Sequence, residues 1–257
     1  MIWVLSGTRE GKELVELLKE KGYSVVASAV TEYGATLVRA AGADEVVGSM
    51  DLQQMMEFLG EKAITGVVDA THPFAATASQ NAIKACRKSA VPYLRFERKA
   101  AKLPKSELIH IAEDFNEAGK IAADWGKVIF YAAGTNNLAT FMNAVGERRV
   151  VARVLPSENA LRICLDLGLT PNDIIAMEGP VSHELNVAFL KEYCADVLVM
   201  KESGSTGGTE DKVMAALELG IHAVVIKRPV IDYGEITQDY SGVLSWLLRE
   251  SKAQTHV

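Results

Sequence analysis

The sequence predicts an α/β protein built on doubly wound, mostly parallel sheets. Short apolar runs alternate with helical periodicity along the 257 residues. The strand-like runs are apolar throughout rather than at every second position, as in strands covered on both faces. The alternation also restarts after a charged, proline-containing stretch at Arg98–Glu107.

Ile2–Ser6 reads as the first strand. Leu14, Leu17 and Leu18 follow at helical spacing within Glu13–Lys21, and Gly22 suits the helix end. Ser24–Val30 reads as a strand, Tyr33–Ala41 as a short helix closed by Gly42, and Glu45–Val47 as a brief strand. Asp51 can cap a helix over Leu52–Leu59. Val67–Ala70 and Pro92–Phe96 are strands on either side of a helical run from Ala76 to Lys88. Beyond the Arg98–Glu107 linker come a strand at Lys127–Ala132, a helix at Asn137–Val145, a strand at Val150–Leu155 and a helix at Ala160–Leu167. Ile174–Met177, Val197–Met200 and Ala223–Ile226 complete the strands. The apolar-strand, Gly-Thr, helix order of Val4–Thr8 is echoed at Ile129–Thr135. Two Rossmann-like domains are therefore expected, residues 1–100 and 101–257, meeting at a cleft.

Composition narrows the function. A net charge of −6 offers no basic surface for extended nucleic-acid binding. No run of about 18 apolar residues suggests a membrane span. The chain starts directly in a strand, without the pattern of an export signal, so a cytoplasmic location is expected. Cys86, Cys164 and Cys194 form no C-x-x-C pair and read as reduced, mostly buried thiols. His72, His110, His183, His222 and His256 never pair at i, i+3 or i, i+4, and no G-x-S-x-G elbow exists, so no metal and no serine nucleophile is expected.

The most informative stretch is Asp69-Ala70-Thr71-His72-Pro73-Phe74-Ala75, where a buried strand gives way to a helix. In open α/β sheets that edge binds ligands. Pro73 fits a first helical position, leaving Thr71 and His72 at the helix mouth. Ser6-Gly7-Thr8-Arg9-Glu10-Gly11 follows the first strand and can bring main-chain N–H groups to a phosphate, although the fingerprint G-x-G-x-x-G is absent because Arg9 replaces its second glycine. A tight turn capped by Thr8 is the equal alternative. Glu32 lies about where a ribose hydroxyl is usually met, and it serves equally as a first-turn helix acid. Lys201–Lys212 carries Ser203, Gly204, Gly207 and Gly208 after a buried strand and reads as an anion cradle with Lys201 adding charge. Gly179–Glu184 offers a helix start at Pro180 that would display Ser182 and His183. Arg95, Arg98, Lys99 and Lys102 form one cation cluster that could meet an anionic small molecule; Arg148, Arg149 and Arg153 form another, read as solvated charge.

These motifs together resemble the precorrin-6A reductases of cobalamin biosynthesis. The resemblance rests on G-T-R-E-G at Gly7–Gly11, D-A-T-H-P-F-A at Asp69–Ala75, Y-L-R-F-E-R at Tyr93–Arg98, R-V-L-P at Arg153–Pro156, G-P-V-S at Gly179–Ser182 and K-E-S-G-x-x-G-G at Lys201–Gly208, in the same order along nearly the whole chain. It implies a two-domain enzyme that uses NADPH or NADH to saturate one double bond of a contracted tetrapyrrole, metal-free or cobalt-bearing. Gly7, Thr8, Arg9, Glu10, Thr71, Lys201, Ser203, Gly204, Gly207 and Gly208 are then expected at the cofactor. Arg95, Arg98 and Ser182 are expected at the substrate carboxylates, with no metal held by the protein. His72 is a candidate proton donor, with helix capping as the alternative, and Asp69 fixes the loop or assists as an acid. A short-chain-type reductase is disfavoured because neither Tyr93 nor Tyr131 is followed by Lys four residues on. A non-catalytic NAD(P)-binding sensor is the rival of another class.

Overall fold

The computed structural model describes residues 1–255. In chain order its elements are β1 (Ile2–Leu5), α1 (Arg9–Glu20), β2 (Val25–Ala29), α2 (Glu32–Ala40), β3 (Asp44–Val47), α3 (Leu52–Glu61), β4 (Gly66–Asp69), α4 (Ala76–Lys88) and β5 (Tyr93–Phe96). There follow β6 (Ile109–Ala112), α5 (Phe115–Trp125), β7 (Val128–Ala132), α6 (Leu138–Val145), β8 (Arg149–Val154), α7 (Glu158–Asp166) and β9 (Ile174–Ala176). The last are α8 (His183–Glu192), β10 (Val197–Lys201), α9 (Thr209–Glu218), β11 (His222–Ile226), β12 (Ile236–Thr237) and α10 (Tyr240–Thr255). No helix among the described residues is long and apolar enough to cross a membrane.

The chain divides into two compact units, one of Met1–Arg98 together with the segment from Pro229 onward, the other of Lys99–Arg228. Each holds one sheet. The first runs β12-β5-β4-β1-β2-β3 and the second β6-β11-β10-β7-β8-β9, and every recorded pairing is parallel. In both, the order reverses beside the unit's central strand, between β1 and β4 and between β7 and β10. That is the doubly wound topology the sequence predicts.

The boundary near residue 100 falls within the expected linker, but the assignment of everything beyond it to one domain is corrected. The segment from Pro229 returns to the first unit. There β12 pairs with β5, and the amides of Arg95 and Glu97 donate to the carbonyls of Glu235 (3.0 Å) and Thr237 (2.8 Å). Val243, Trp246 and Leu247 of α10 join Ile2, Val4, Leu14, Leu18, Val68 and Leu94 in one core layer. The opposite layer packs Trp3, Leu5 and Val67 against Phe58 of α3 and Ala82 and Cys86 of α4. The second unit buries Phe130, Leu198, Met200 and Val225 against Leu190 of α8 and Val213 of α9.

Local chemistry accounts for most helix starts. Thr8 and Thr31 accept the N–H groups of Gly11 (3.1 Å) and Gly34 (3.0 Å), and Asp51 forms a reciprocal capping box with Gln54. Two proline-based starts are corrected. Pro73 lies in a turn closed by the Ala75 amide on the His72 carbonyl (2.8 Å), and α4 begins only at Ala76. Likewise α8 begins at His183, capped by Ser182 rather than opened by Pro180. Cys86 and Cys164 are buried as expected, whereas Cys194 is exposed.

Candidate functional site

In the first unit the strand order reverses between β1 and β4, which places Ser6-Gly7-Thr8 beside Ala70-Thr71-His72 at their carboxyl ends. Thr8 ties the two loops together. Its hydroxyl donates to the Ala70 carbonyl (2.9 Å) while accepting the Gly11 amide. Gly7 has φ +100°, and a Cβ there would meet nothing within 4 Å, so its backbone faces open space. The Ser6 hydroxyl is buried with no hydrogen-bond partner. An open glycine turn, an orphaned hydroxyl and the N-terminus of α1 together fit the phosphates of a dinucleotide. Arg9 reaches outward and pairs with Glu13 (2.9 Å). Glu10 is committed to Arg98 (2.7 Å), so this pair braces the start of α1. The side chains of Glu32 and Tyr33, and His256, lie outside the described residues.

Behind the turn, Asp69 is completely buried and saturated with donors. It accepts from the Thr71 amide (2.9 Å) and hydroxyl (2.7 Å), Ser79 (2.6 Å), Tyr93 (2.7 Å) and Arg95 Nη1 (2.9 Å). Burial alone would raise its pKa, but the Arg95 charge and the bonds from Ser79, Thr71 and Tyr93 outweigh burial and hold it below the usual carboxylate range. It carries no proton to deliver at neutral pH, so of the two roles open to it from the sequence this arrangement supports the loop anchor and speaks against the acid.

Arg95 is corrected in the same way. It is fully buried, its guanidinium bonds Asp69, the Thr71 carbonyl (3.1 Å) and Glu97 (2.7 Å), and Tyr233 stacks over it at 4.9 Å. It positions Thr71 and has no access to a substrate carboxylate. Ser79, Tyr93 and Tyr233 belong to this network unforeseen, since only strand order brings residues 69, 79, 93 and 233 together.

His72 stands at the mouth of the loop, its ring 5.9 Å from that of Phe74. Its Nδ1 accepts the Phe74 amide (3.2 Å), so the neutral ring carries its proton on Nε2.

In the second unit the Lys201–Gly208 loop follows β10 beside the reversal between β7 and β10. Several of its main-chain donors are engaged within the loop. The amide of Ser203 donates to Thr209 Oγ1 (3.1 Å) and that of Gly204 to Glu202 Oε1 (2.9 Å). Those of Gly207 (3.1 Å) and Gly208 (3.0 Å) donate to the carbonyls of Gly204 and Ser205. A Cβ on Gly208 would lie 2.7 Å from Pro180 Cβ, so this glycine allows two loops to pack rather than a ligand to approach. Lys201 ends β10, Lys212 lies buried in α9, and Arg153, expected to be solvated, is buried at the end of β8. Ser182 caps α8, accepting the Leu185 amide (3.3 Å).

The histidines also surprise. His110 and His222, far apart in sequence, meet across β6 and β11 with ring nitrogens 2.9 Å apart and stack with Trp125. No group of three or more potential metal ligands occurs among the described residues.

Comparison with known proteins identifies the family. The family described as precorrin-6x reductase CbiJ/CobK matches residues 1–248. A cobalt-precorrin-6A reductase of Priestia megaterium is 34% identical, covering 98% of this chain and 100% of that one. One from Methanothermobacter thermautotrophicus is 38% identical, covering 89% and 76%. Among solved structures, CobK precorrin-6A reductase superposes with a TM-score of 0.79 at 26% identity, covering 97% of this chain and 96% of that one. On residues 1–248 and on these relatives, the chain belongs to the precorrin-6x reductase CbiJ/CobK family.

Proposed function

We propose that this protein reduces one double bond of a precorrin-6A-type macrocycle, metal-free or cobalt-bearing, with NADPH or NADH as donor, as a step of cobalamin biosynthesis. Membership of a reductase family supports the reaction class. The observation that carries the site is the open Gly7 turn beside the orphaned Ser6 hydroxyl at the β1–β4 reversal. Membership of this family sets aside the short-chain-type alternative.

A reduced nicotinamide dinucleotide supplies hydride when bound. The residues proposed to hold its phosphates are Ser6, Gly7 and Thr8 with the first turn of α1, Arg9 and Glu10 included, and Thr71 on the facing loop. Asp69 and Arg95 act one step back, fixing the Thr71 hydroxyl and carbonyl. Arg98 steadies Glu10 at the same edge.

For His72 the Phe74 bond at Nδ1 supports a neutral ring that offers Nε2–H to a bound group, because a second proton on Nδ1 would break that bond. This favours an orienting donor over the proton donor expected from the sequence. His72→Gln keeps an N–H donor but no titratable ring. It is expected to retain the single-turnover rate within about threefold, less than the roughly hundredfold or greater share of a general acid. A hundredfold fall would restore the proton-donor role.

The reaction is tested by anaerobic incubation with NADPH or NADH and either precorrin-6A or cobalt-precorrin-6A, following oxidation of the dihydropyridine at its near-ultraviolet band. Stoichiometric oxidation with one macrocycle is expected. Dinucleotide binding without oxidation by either macrocycle would overturn the proposal in favour of the sensor.

A further inference from the structure

We infer that Tyr233, on the segment that returns to the first unit after Pro229, is a positioning residue for the reduction. Its ring holds the Arg95 guanidinium, and through it the Thr71–His72 loop, in the shape that receives the dinucleotide. The inference rests on the dinucleotide site proposed at the Gly7 turn, and so on the reductase reading.

The loop after β4 is clamped at two successive residues. Thr8, in the glycine turn, donates its hydroxyl to the Ala70 carbonyl (2.9 Å). Arg95 takes the next residue: Nη1 donates to Thr71 Oγ1 (3.1 Å) and Nη2 to the Thr71 carbonyl (3.1 Å). The same guanidinium meets Asp69 Oδ1 (2.9 Å) and Glu97 Oε2 (2.7 Å). All these bonds leave from the rim of the fork, because a guanidinium carries its N–H groups in its own plane. They fix the fork within that plane and hold it only weakly against tilting. A tilt would lengthen both bonds to Thr71 together.

Tyr233 covers a face of the fork, with Arg95 Cζ 4.9 Å from the ring centroid. The negative face of the ring attracts the cation and offers nothing that competes for its N–H groups. Arg95 is fully buried and Tyr233 half-buried, so the ring stands between the Asp69–Arg95 pair and water. Tyr233 is in neither of the two apolar layers of this unit, and its ring contact is with a cation.

The return segment places this ring. Two residues further on, the Glu235 carbonyl accepts the Arg95 amide (3.0 Å), so one segment grips both the main chain and the side chain of the same residue. Gly234 turns the chain between them with φ +74°, and its amide donates to Asp232 Oδ1 (3.2 Å). Arg249 of α10 pins Glu235 through both carboxylate oxygens, each at 2.7 Å. Loss of the ring leaves the Asp69–Arg95 pair in place and frees the fork to tilt. The lesion therefore falls on the loop that faces the Gly7 turn, and on dinucleotide affinity.

The test uses the full chain with Tyr233→Leu and Tyr233→Phe. Affinity for NADPH or NADH is read from its fluorescence, which needs no turnover. KM and kcat are read from dinucleotide oxidation with precorrin-6A or cobalt-precorrin-6A. Tyr233→Leu is expected to raise the dinucleotide dissociation constant and KM about fivefold or more, with kcat and the macrocycle KM within about twofold. Tyr233→Phe keeps the ring and is expected to restore dinucleotide affinity to within about twofold of the parent. Unchanged dinucleotide affinity in Tyr233→Leu would overturn the inference. An equal loss in Tyr233→Phe would overturn it too, by assigning the effect to the hydroxyl. Ring-fluorinated phenylalanines at position 233 keep the size of the ring and drain its negative face, so the dissociation constant is expected to climb with each fluorine. Level affinity across that series overturns the inference even where Tyr233→Leu does not fold. A parent protein that binds dinucleotide and reduces neither macrocycle defeats the reductase reading instead, and the affinity measurements still decide the role of Tyr233.

Discussion

Asp69 shows how one carboxylate can be both an electrostatic burden and the fixture of a site. Its five donors come from Thr71, Ser79, Tyr93 and Arg95, and it in turn neutralises the buried Arg95. Asp69→Asn leaves that guanidinium without its counter-charge and is expected to cost about 3–5 kcal/mol in urea unfolding. Because the folded pKa lies below the unfolded value of about 3.9, the stabilisation is complete above that pH. It is lost as pH falls through the lower, folded value. Acid titration of the parent should therefore show a destabilisation below about pH 4 that Asp69→Asn lacks. Gly7→Ala is expected to cost about 1–3 kcal/mol through its positive φ and to weaken dinucleotide binding measured by fluorescence. At this scale the sequence singled out Asp69–Ala75 and Gly7–Glu10 because strand ends and glycine turns are local. It could not show that Arg95 would be consumed by Asp69, or that Arg153 would be buried, since both follow from which strands are neighbours.

Among elements, those with a strong local signal were legible and those that depend on a distant partner were not. Thr8 and Asp51 announced their helices because capping is a contact three residues long. In α5 the buried face is Phe115, Ala118, Gly119 and Ala122, so small that its apolar period is faint and the helix went unread. The edge strand β12 has two residues and exists only through its pairing with β5. Its neighbour α10 has much more to contribute. Trp246 is buried, and a Cβ on Gly66 of β4 would stand 3.2 Å from its ring. Trp246→Ala is expected to destabilise the first unit by about 3–5 kcal/mol in chemical denaturation, and Gly66→Ala to destabilise it by overpacking against the ring. A loss below about 1 kcal/mol for Trp246→Ala would mean that α10 merely lies on the surface.

The two units share the relative order of five strands but fill the sixth, edge position differently, with β12 from late in the chain in one and β6 from the start of the unit in the other, and only the second unit is continuous in sequence. Residues 99–228 carry a whole sheet with helices on both faces and are expected to fold alone with a cooperative transition. Residues 1–98 lack β12 and α10 and are expected to remain loosely ordered. Joining them through a short linker to residues 229–257 should restore a sharp melt. Circular dichroism of the three fragments decides this, and a cooperative melt of residues 1–98 alone would contradict it. The duplicated alternation made the two-sheet plan readable, while the return crossing near residue 229 was not, because no composition shift marks it.

That return has a consequence for vectorial synthesis. A ribosome making this chain releases every residue of the inserted lobe before it emits the final strand and helix, so the lobe begun first is the one finished last. Until then Leu94 and Phe96 on β5 lack their cover, and a nascent chain stalled near residue 228 would display a greasy open edge to chaperones.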